Sequence, residues 1–493
     1  MLLLGIDIGT SSIKVAIVDA TTQQTIVTTQ FPETETPITS LQNGWAEQSP
    51  EMWWQHVQQA ILKANATGKY NPKDIAAIGI AYQMHGLVCV DKNQQVLRDS
   101  IIWCDSRAVK YGNKAFEAIG EEKCLSHLLN SPGNFTASKL AWVKENEPHI
   151  YEQIDKIMLP GDFIAMKLTG TITTSASALS EGVLWDFKNN ELSRDVMNYY
   201  GFSTNIIPDI KDVFTEHGLL GKEIAESLSL SANIPVTYKA GDQPNNALSL
   251  NVLQPGEVAA TAGTSGVIYG VGDTLSYDKQ SRINSFAHVN HTSKETRIGT
   301  LLCINGTGIA NSFTRKLLAA DKAYPLINEA AKQIPIGSEG LSVLPFGNGA
   351  ERIFNNKTVG AHYQNINFNI HTEAHIFRAV QEGIAFSFRY GLDIMKENGI
   401  TPSVIRAGKA NLFLSDVFIS AFVNATNVPV ELYEVDGSVG AAKGAGIGAK
   451  IFASEKEAFA NAKPLDLIEP TVHTAYNEEY EVWKALLQRQ LGK

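Results

Sequence analysis

A two-strand unit occurs twice in this chain, roughly half a chain apart, and that repetition restricts the fold more than any other feature. Leu2–Asp19 reads as an apolar strand, a Gly9-Thr10-Ser11 turn and a second apolar strand. Glu257–Val271 reads the same way around Gly263-Thr264-Ser265. Glycine supplies the turn geometry, and Thr and Ser place hydroxyls beside it. Self-similarity at a long period points to a duplicated unit. With 493 residues the chain is also too long for one core. Two domains are therefore expected, residues 1–246 and 247–493, each opening with this hairpin, the second ending in a helical tail.

Strands and helices alternate between and after the hairpins, which predicts an α/β fold. Ser49 suits a helix N-cap and Pro50 its first turn. Trp53, Trp54, Val57, Ala60, Ile61 and Ala64 then form a helical apolar stripe. Ala76–Ala81 reads as a buried strand running into Tyr82-Gln83-Met84-His85-Gly86, and Pro235–Ala240 as a strand ending at Gly241-Asp242. Residues just past strand carboxyl ends commonly meet ligands in such sheets. In the second half, Thr372–Asn398 predicts a long helix stopped by Gly399. A strand over Ser403–Ala407 follows, then a helix from about Asn411, a strand over Pro429–Glu434, a Gly- and Ala-rich stretch at Gly437–Gly448, and a helical tail around Glu478–Leu491.

Composition narrows the function classes. Apolar residues make up 44% of the chain and charged residues 19%, an ordinary globular mixture. The formal net charge of -10 and the lack of a Lys/Arg run argue against a nucleic-acid partner. No stretch approaches ~20 uninterrupted apolar residues, so no membrane span is expected. Gly5 and Asp7 break the opening apolar run, which is unlike a signal peptide. Cys89, Cys104, Cys124 and Cys303 show no C-x-x-C spacing, which fits a reducing cytoplasm better than a zinc site or disulfide framework.

Four constellations could carry chemistry. Asp7 precedes the turn Gly9-Thr10-Ser11, with Lys14 just beyond. Backbone N–H groups of such a turn can bind phosphate, and a carboxylate beside it can meet Mg²⁺, which takes one or two carboxylates plus phosphates and waters. The plainer reading is an ordinary hairpin. Asp242 reads either as a helix cap or as a general base accepting the proton of an attacking hydroxyl. His85 reads as a structural histidine or as a partner for polyol hydroxyls. Gly408, Lys409 and Asn411, with Gly437–Gly448, read either as a nucleotide-facing turn or as glycine-mediated packing. No P-loop, protein-kinase catalytic loop or nucleophile elbow is present, so nucleotide chemistry would need another design.

These residues resemble the FGGY family of carbohydrate kinases, nearly end to end, from Leu4 to about Phe452. Gly5-Ile6-Asp7-Ile8-Gly9-Thr10-Ser11 is similar to the family's first phosphate hairpin and Ala262-Gly263-Thr264-Ser265-Gly266 to its second. Gln83-Met84-His85-Gly86, Trp103-Cys104-Asp105-Ser106-Arg107, Gly241-Asp242 and Gln381-Glu382-Gly383 resemble further family segments. The stretch from Trp45 to Trp54 is similar to the members that act on xylulose.

The resemblance implies two ribonuclease-H-like, actin-type ATPase domains with a catalytic cleft between them. It implies ATP and Mg²⁺, with transfer to D-xylulose; ribulose, gluconate, erythritol or glycerol are the alternative acceptors. An actin-like ATPase without sugar transfer is the more distant alternative. By resemblance Asp242 is the proton acceptor. Gln83, Met84, His85, Asp105, Asn134, Asp242 and Gln243 fall at the sugar. Gly9, Thr10, Ser11, Lys14, Gly263, Thr264, Ser265, Gly306, Gly408, Lys409 and Asn411 fall at the nucleotide, and Asp7 and Asp242 at the metal. A homodimer is expected by analogy.

Overall fold

The computed structural model describes residues 1–492. Two sheets organise it. The first has six strands in the order Phe214–Leu219, Pro235–Gly241, Ile75–Tyr82, Leu2–Ile8, Ile13–Asp19, Thr25–Phe31. The second has seven, in the order Asn284–Ala287, Ile298–Ile304, Gly266–Gly272, Glu257–Ala262, Val404–Gly408, Val430–Tyr433, Asp466–Ile468.

The repeat seen in the sequence extends to whole sheets. In each, the opening hairpin is antiparallel, a third strand extends it antiparallel, and two strands lie parallel to the first on its other side. In both, an antiparallel strand then closes the parallel edge. This is the mixed α/β architecture of the actin-type ATPases.

Local chemistry explains the helices. Ser49 caps Pro50–Ala66, accepting from the Met52 amide at 3.4 Å, with proline in the first turn. Its buried face is Trp53, Trp54, Val57, Ala60, Ile61 and Ala64, as the periodicity predicts. Full burial of each large apolar chain stabilises by about 1.5–3 kcal/mol. Thr372 caps the helix Glu373–Glu397, reinforced by His375. Asn411–Leu414 forms one 3₁₀ turn rather than the start of a helix; the helix begins at Asp416. Asn411 adopts a left-handed backbone (φ 54°), which an α-helix cannot continue.

The Gly- and Ala-rich stretch forms the helix Gly437–Gly448, and the tail forms His473–Gln490. Although it follows a second-sheet strand, the helix Gly437–Gly448 lies against the first sheet. A Cβ on Gly5 would meet the Ser438 carbonyl oxygen at 1.8 Å, and one on Gly79 the Ala441 oxygen at 2.0 Å. Only glycine in those strands permits so close an approach. No helix among the described residues is long and apolar enough to cross a membrane.

Candidate active site

Three neighbouring parallel strands end together on the first sheet. Ile8 pairs with Tyr82, and Tyr82 with Gly241. Asp7, the segment Gln83–His85 and Asp242 thus converge at one edge, where ligands collect in open α/β sheets.

Asp242 opens the helix Asp242–Ser249; its cap is Gly241, so the carboxylate is not a cap. Burial, then the charge of Asp7, pushes its pKa up to about 7, partly offset by hydrogen bonds from Gln243. Asp7 is pushed up to about 6 by burial, then by Asp436, with Lys14 opposing. Lys14 pairs with Asp7 across the hairpin, and its Nζ is 3.9 Å from Asp436. The N-terminus of the helix Gly437–Gly448 abuts this group: a Cβ on Gly437 would lie 2.3 Å from Asp7 Oδ2. A helix N-terminus beside the first turn favours an anion there. The Gly-rich stretch therefore packs closely along its length, and its first turn lies against Asp7.

The two carboxylates test the fit of Mg²⁺. No group of three or more His, Cys, Asp or Glu suitable for a metal occurs among the described residues. Two under-neutralised acids beside the Gly9–Ser11 turn fit a cation that takes only one or two carboxylates from protein.

His85 has a left-handed backbone, φ 64°. Its Nδ1 lies 2.9 Å from the Glu181 carbonyl oxygen, and its ring packs against Phe135 and Phe286 at 4.8 and 5.5 Å. Burial, then Lys139 and Arg352, pushes its pKa down to about 3, so the ring is neutral. Met84 is buried against Gly241, where an added Cβ would meet its Cγ at 2.7 Å.

Other expected sugar contacts face the fold. The Gln83 side chain accepts from Thr10 Oγ1 at 3.2 Å and donates to Gln48 at 3.2 Å. It braces the first turn instead of pointing at a sugar. Thr10 Oγ1 also accepts from Trp103 Nε1 at 3.0 Å, and the Thr10 carbonyl accepts from Gln48 Nε2 at 2.8 Å, so its hydroxyl and carbonyl are both engaged. Asp105 is wholly buried and accepts from the Ala46 amide at 2.6 Å and from Arg107. Its carboxylate is turned to Ala46 and Arg107, away from solvent. Asn134 donates to the Asp105 carbonyl, while its Oδ1 has no hydrogen-bond partner.

The second turn meets the helix Gly308–Leu318, whose Gly308 and Ile309 amides donate to the Gly263 and Thr264 carbonyls at 3.0 Å each. Ser265 completes that turn. The Gly306 amide donates to Glu351 at 3.0 Å and is not available to a phosphate. Beside the turn lies a cavity of about 790 Å³, lined by Gly263, Thr264, Asn311, Lys316, Tyr324, Asn328, Lys332 and Asn411 among others. Asn411 sits beside the turn, with Nδ2 3.7 Å from a Cβ placed on Gly263. Gly408 and Lys409 do not line the cavity; Lys409 pairs with Asp466 at 2.6 Å on the surface.

Sequence reasoning missed Glu181, Lys139, the pocket residues of Gly308–Lys332, and the bearing of Arg352. Arg352 hydrogen-bonds Asn284, has no carboxylate within 4 Å among the described residues, and bears electrostatically on His85 and Cys303. No local pattern marks these positions.

Comparison with known proteins matches residues 2–249 to the N-terminal domain of the FGGY family of carbohydrate kinases. The chain is 27% identical to a xylulose kinase of Escherichia coli, covering 99% of each. Among solved structures it superposes on a xylulose kinase from Rhodospirillum rubrum (TM-score 0.88, 22% identity, 100% of each chain). It superposes equally on a Plasmodium falciparum glycerol kinase with ADP (TM-score 0.89, 20% identity, 99% of this chain and 98% of that one). Those likenesses show the fold.

Proposed function

The chain belongs to the FGGY family of carbohydrate kinases, and on that premise we propose that it transfers the γ-phosphate of ATP to the terminal hydroxyl of D-xylulose, giving the 5-phosphate. The observation that carries the reading is the convergence of Asp7, His85 and Asp242 at three adjacent strand ends, together with a nucleotide-sized cavity at the second turn.

Residues 1–246 carry the acceptor and 247–493 most of the nucleotide. ATP occupies the cavity between the Gly263–Ser265 turn and Tyr324, Asn328 and Asn411, its phosphates reaching the Gly9–Ser11 turn and Lys14. Asp7 and Asp242 would hold Mg²⁺, which would supply charge neutralisation at the phosphates. The acceptor oxygen forms its bond to the γ-phosphorus as the bond to the β–γ bridging oxygen breaks and ADP leaves. The hydroxyl proton passes to the Asp242 carboxylate. Burial raises the pKa of that carboxylate in the metal-free protein to about 7, above an ordinary aspartate, and a bound cation would bring it back down toward the ionised form that accepts the proton. Phosphoryl transfer needs little more than this positioning and charge stabilisation.

His85 bonds acceptor hydroxyls, with Met84 packed behind. Gln243 steers the Asp242 carboxylate. Gln83, Asp105 and Asn134 brace the turns that hold these groups. Movement of the two halves toward each other excludes water from the transferring phosphoryl group. Full-length resemblance to xylulose kinases favours D-xylulose; the equal likeness to a glycerol kinase fold makes the acceptor the point to test. Phosphorus NMR of the product from ATP and D-xylulose tests transfer and position together. Pentuloses, pentitols, gluconate and glycerol compared by kcat/KM test the acceptor, and a clear optimum elsewhere defeats the xylulose assignment.

A further inference from the structure

Glu181 is a buried carboxylate, 2% exposed, to which the proposed transfer assigns no part. Its Oε1 accepts from the Tyr82 hydroxyl at 2.7 Å, and its Oε2 accepts from the His85 amide at 3.3 Å. Its backbone carbonyl lies 2.9 Å from His85 Nδ1. A carbonyl oxygen can only accept, so Nδ1 carries the hydrogen. In a neutral imidazole the other nitrogen, Nε2, is then a bare acceptor. The opposite side of the same residue is also held: the His85 carbonyl accepts from Lys139 Nζ at 2.8 Å and Thr136 Oγ1 at 3.3 Å.

A purely structural carboxylate would be expected to have a cationic partner. Among the described residues Glu181 has no Lys or Arg within 4 Å; the one titratable nitrogen in that range is His85 Nδ1, at 3.9 Å. Burial without such a partner pushes the Glu181 pKa well above the ordinary carboxylate value. The left-handed backbone at His85 is a further local cost, and Glu181 meets its amide.

We propose that Glu181 is a positioning residue that fixes His85 as a hydrogen-bond acceptor at Nε2, so that the site selects an acceptor presenting a hydroxyl, not a carbonyl, to that nitrogen. The selection rests on the reading of the cleft as a sugar site; the state of His85 does not.

The experiment has two arms. Long-range proton–nitrogen NMR of the free, nitrogen-labelled protein, with His85 assigned by His85→Gln, reads the tautomer directly. Nδ1–H with unprotonated Nε2 at pH 7 is expected; an Nε2–H form or an imidazolium overturns the proposal. In the second arm Glu181→Gln keeps the side-chain volume but places an amide at the carboxylate. The KM for the acceptor should rise about tenfold, the effect of one misdirected hydrogen bond at the His85 amide, with the KM for ATP within twofold of wild type and the Nδ1–H tautomer kept, because the Glu181 backbone carbonyl that receives it is unchanged. An unchanged acceptor KM, or equal rises in both constants, overturns it. If Glu181→Gln does not fold, the wild-type tautomer decides. If D-xylulose is not turned over by wild type, the acceptor assignment fails while the NMR arm still tests this proposal.

Discussion

Asp242→Asn separates the catalytic from the structural meaning of the carboxylate. In the folded protein the Asp242 pKa rises from 3.8 to about 7. The folded state therefore holds this proton more tightly than the unfolded chain. Between those values the native state binds more protons, and stability falls as pH rises. At ~1.36 kcal/mol per unit the full shift would amount to about 4 kcal/mol. Asp242 is half-buried, and its charge is partly screened by solvent in the cleft. We therefore expect about 1–2 kcal/mol at pH 8, and roughly a third of that at pH 5, which lies a third of the way between the two pKa values. Asparagine carries no charge at either pH. Asp242→Asn should thus stabilise the folded protein at pH 8 by about 1–2 kcal/mol, a few degrees at most in unfolding midpoint, with the gain shrinking at pH 5. Turnover should fall by ~10²–10⁴ with acceptor binding largely kept. Thermal melts by circular dichroism at the two pH values, in EDTA without nucleotide, measure the first effect; a coupled ADP-release assay measures the second. A variant less stable than wild type at pH 8, or a gain equal at both pH values, refutes the electrostatic reasoning. Near-normal turnover refutes the base.

Three further outcomes follow from the geometry. Gly437→Ala brings a methyl within 2.3 Å of Asp7 Oδ2; turnover should fall at least tenfold with little change in acceptor binding measured by calorimetry. Asn411→Asp keeps a residue type that tolerates φ 54° but sets a carboxylate beside the Gly263 turn. Its ATP KM should rise about tenfold, more at low salt, with the acceptor KM unchanged. Removing divalent metal with EDTA should abolish transfer, and Mg²⁺ should restore it; the same titration followed through the pH profile should move the Asp242-linked rise in activity below pH 7, because a cation favours the carboxylate.

The hairpins, the strands ending at Tyr82 and Gly241, and the long helix after Thr372 were legible because their signals are local. Apolar runs and Gly-Thr-Ser turns act within a few residues. The 3₁₀ turn at Asn411 was not legible, since a left-handed residue there depends on its setting beside Gly263. The sugar contacts expected at Gln83 and Asp105 misplaced side chains whose partners, Thr10, Gln48 and Arg107, are set by tertiary packing.

The sequence alone determined the duplication, the α/β class and the position of Asp7 and Asp242 at strand ends, because each depends on short-range geometry. Only the tertiary structure decided what surrounds them. It laid Gly437 against Asp7, placed Glu181 and Lys139 on either side of His85, and drew one cavity from segments far apart in the chain. It also raised the pKa of Asp242, since burial and a neighbouring charge are properties of packing that no stretch of residues carries by itself.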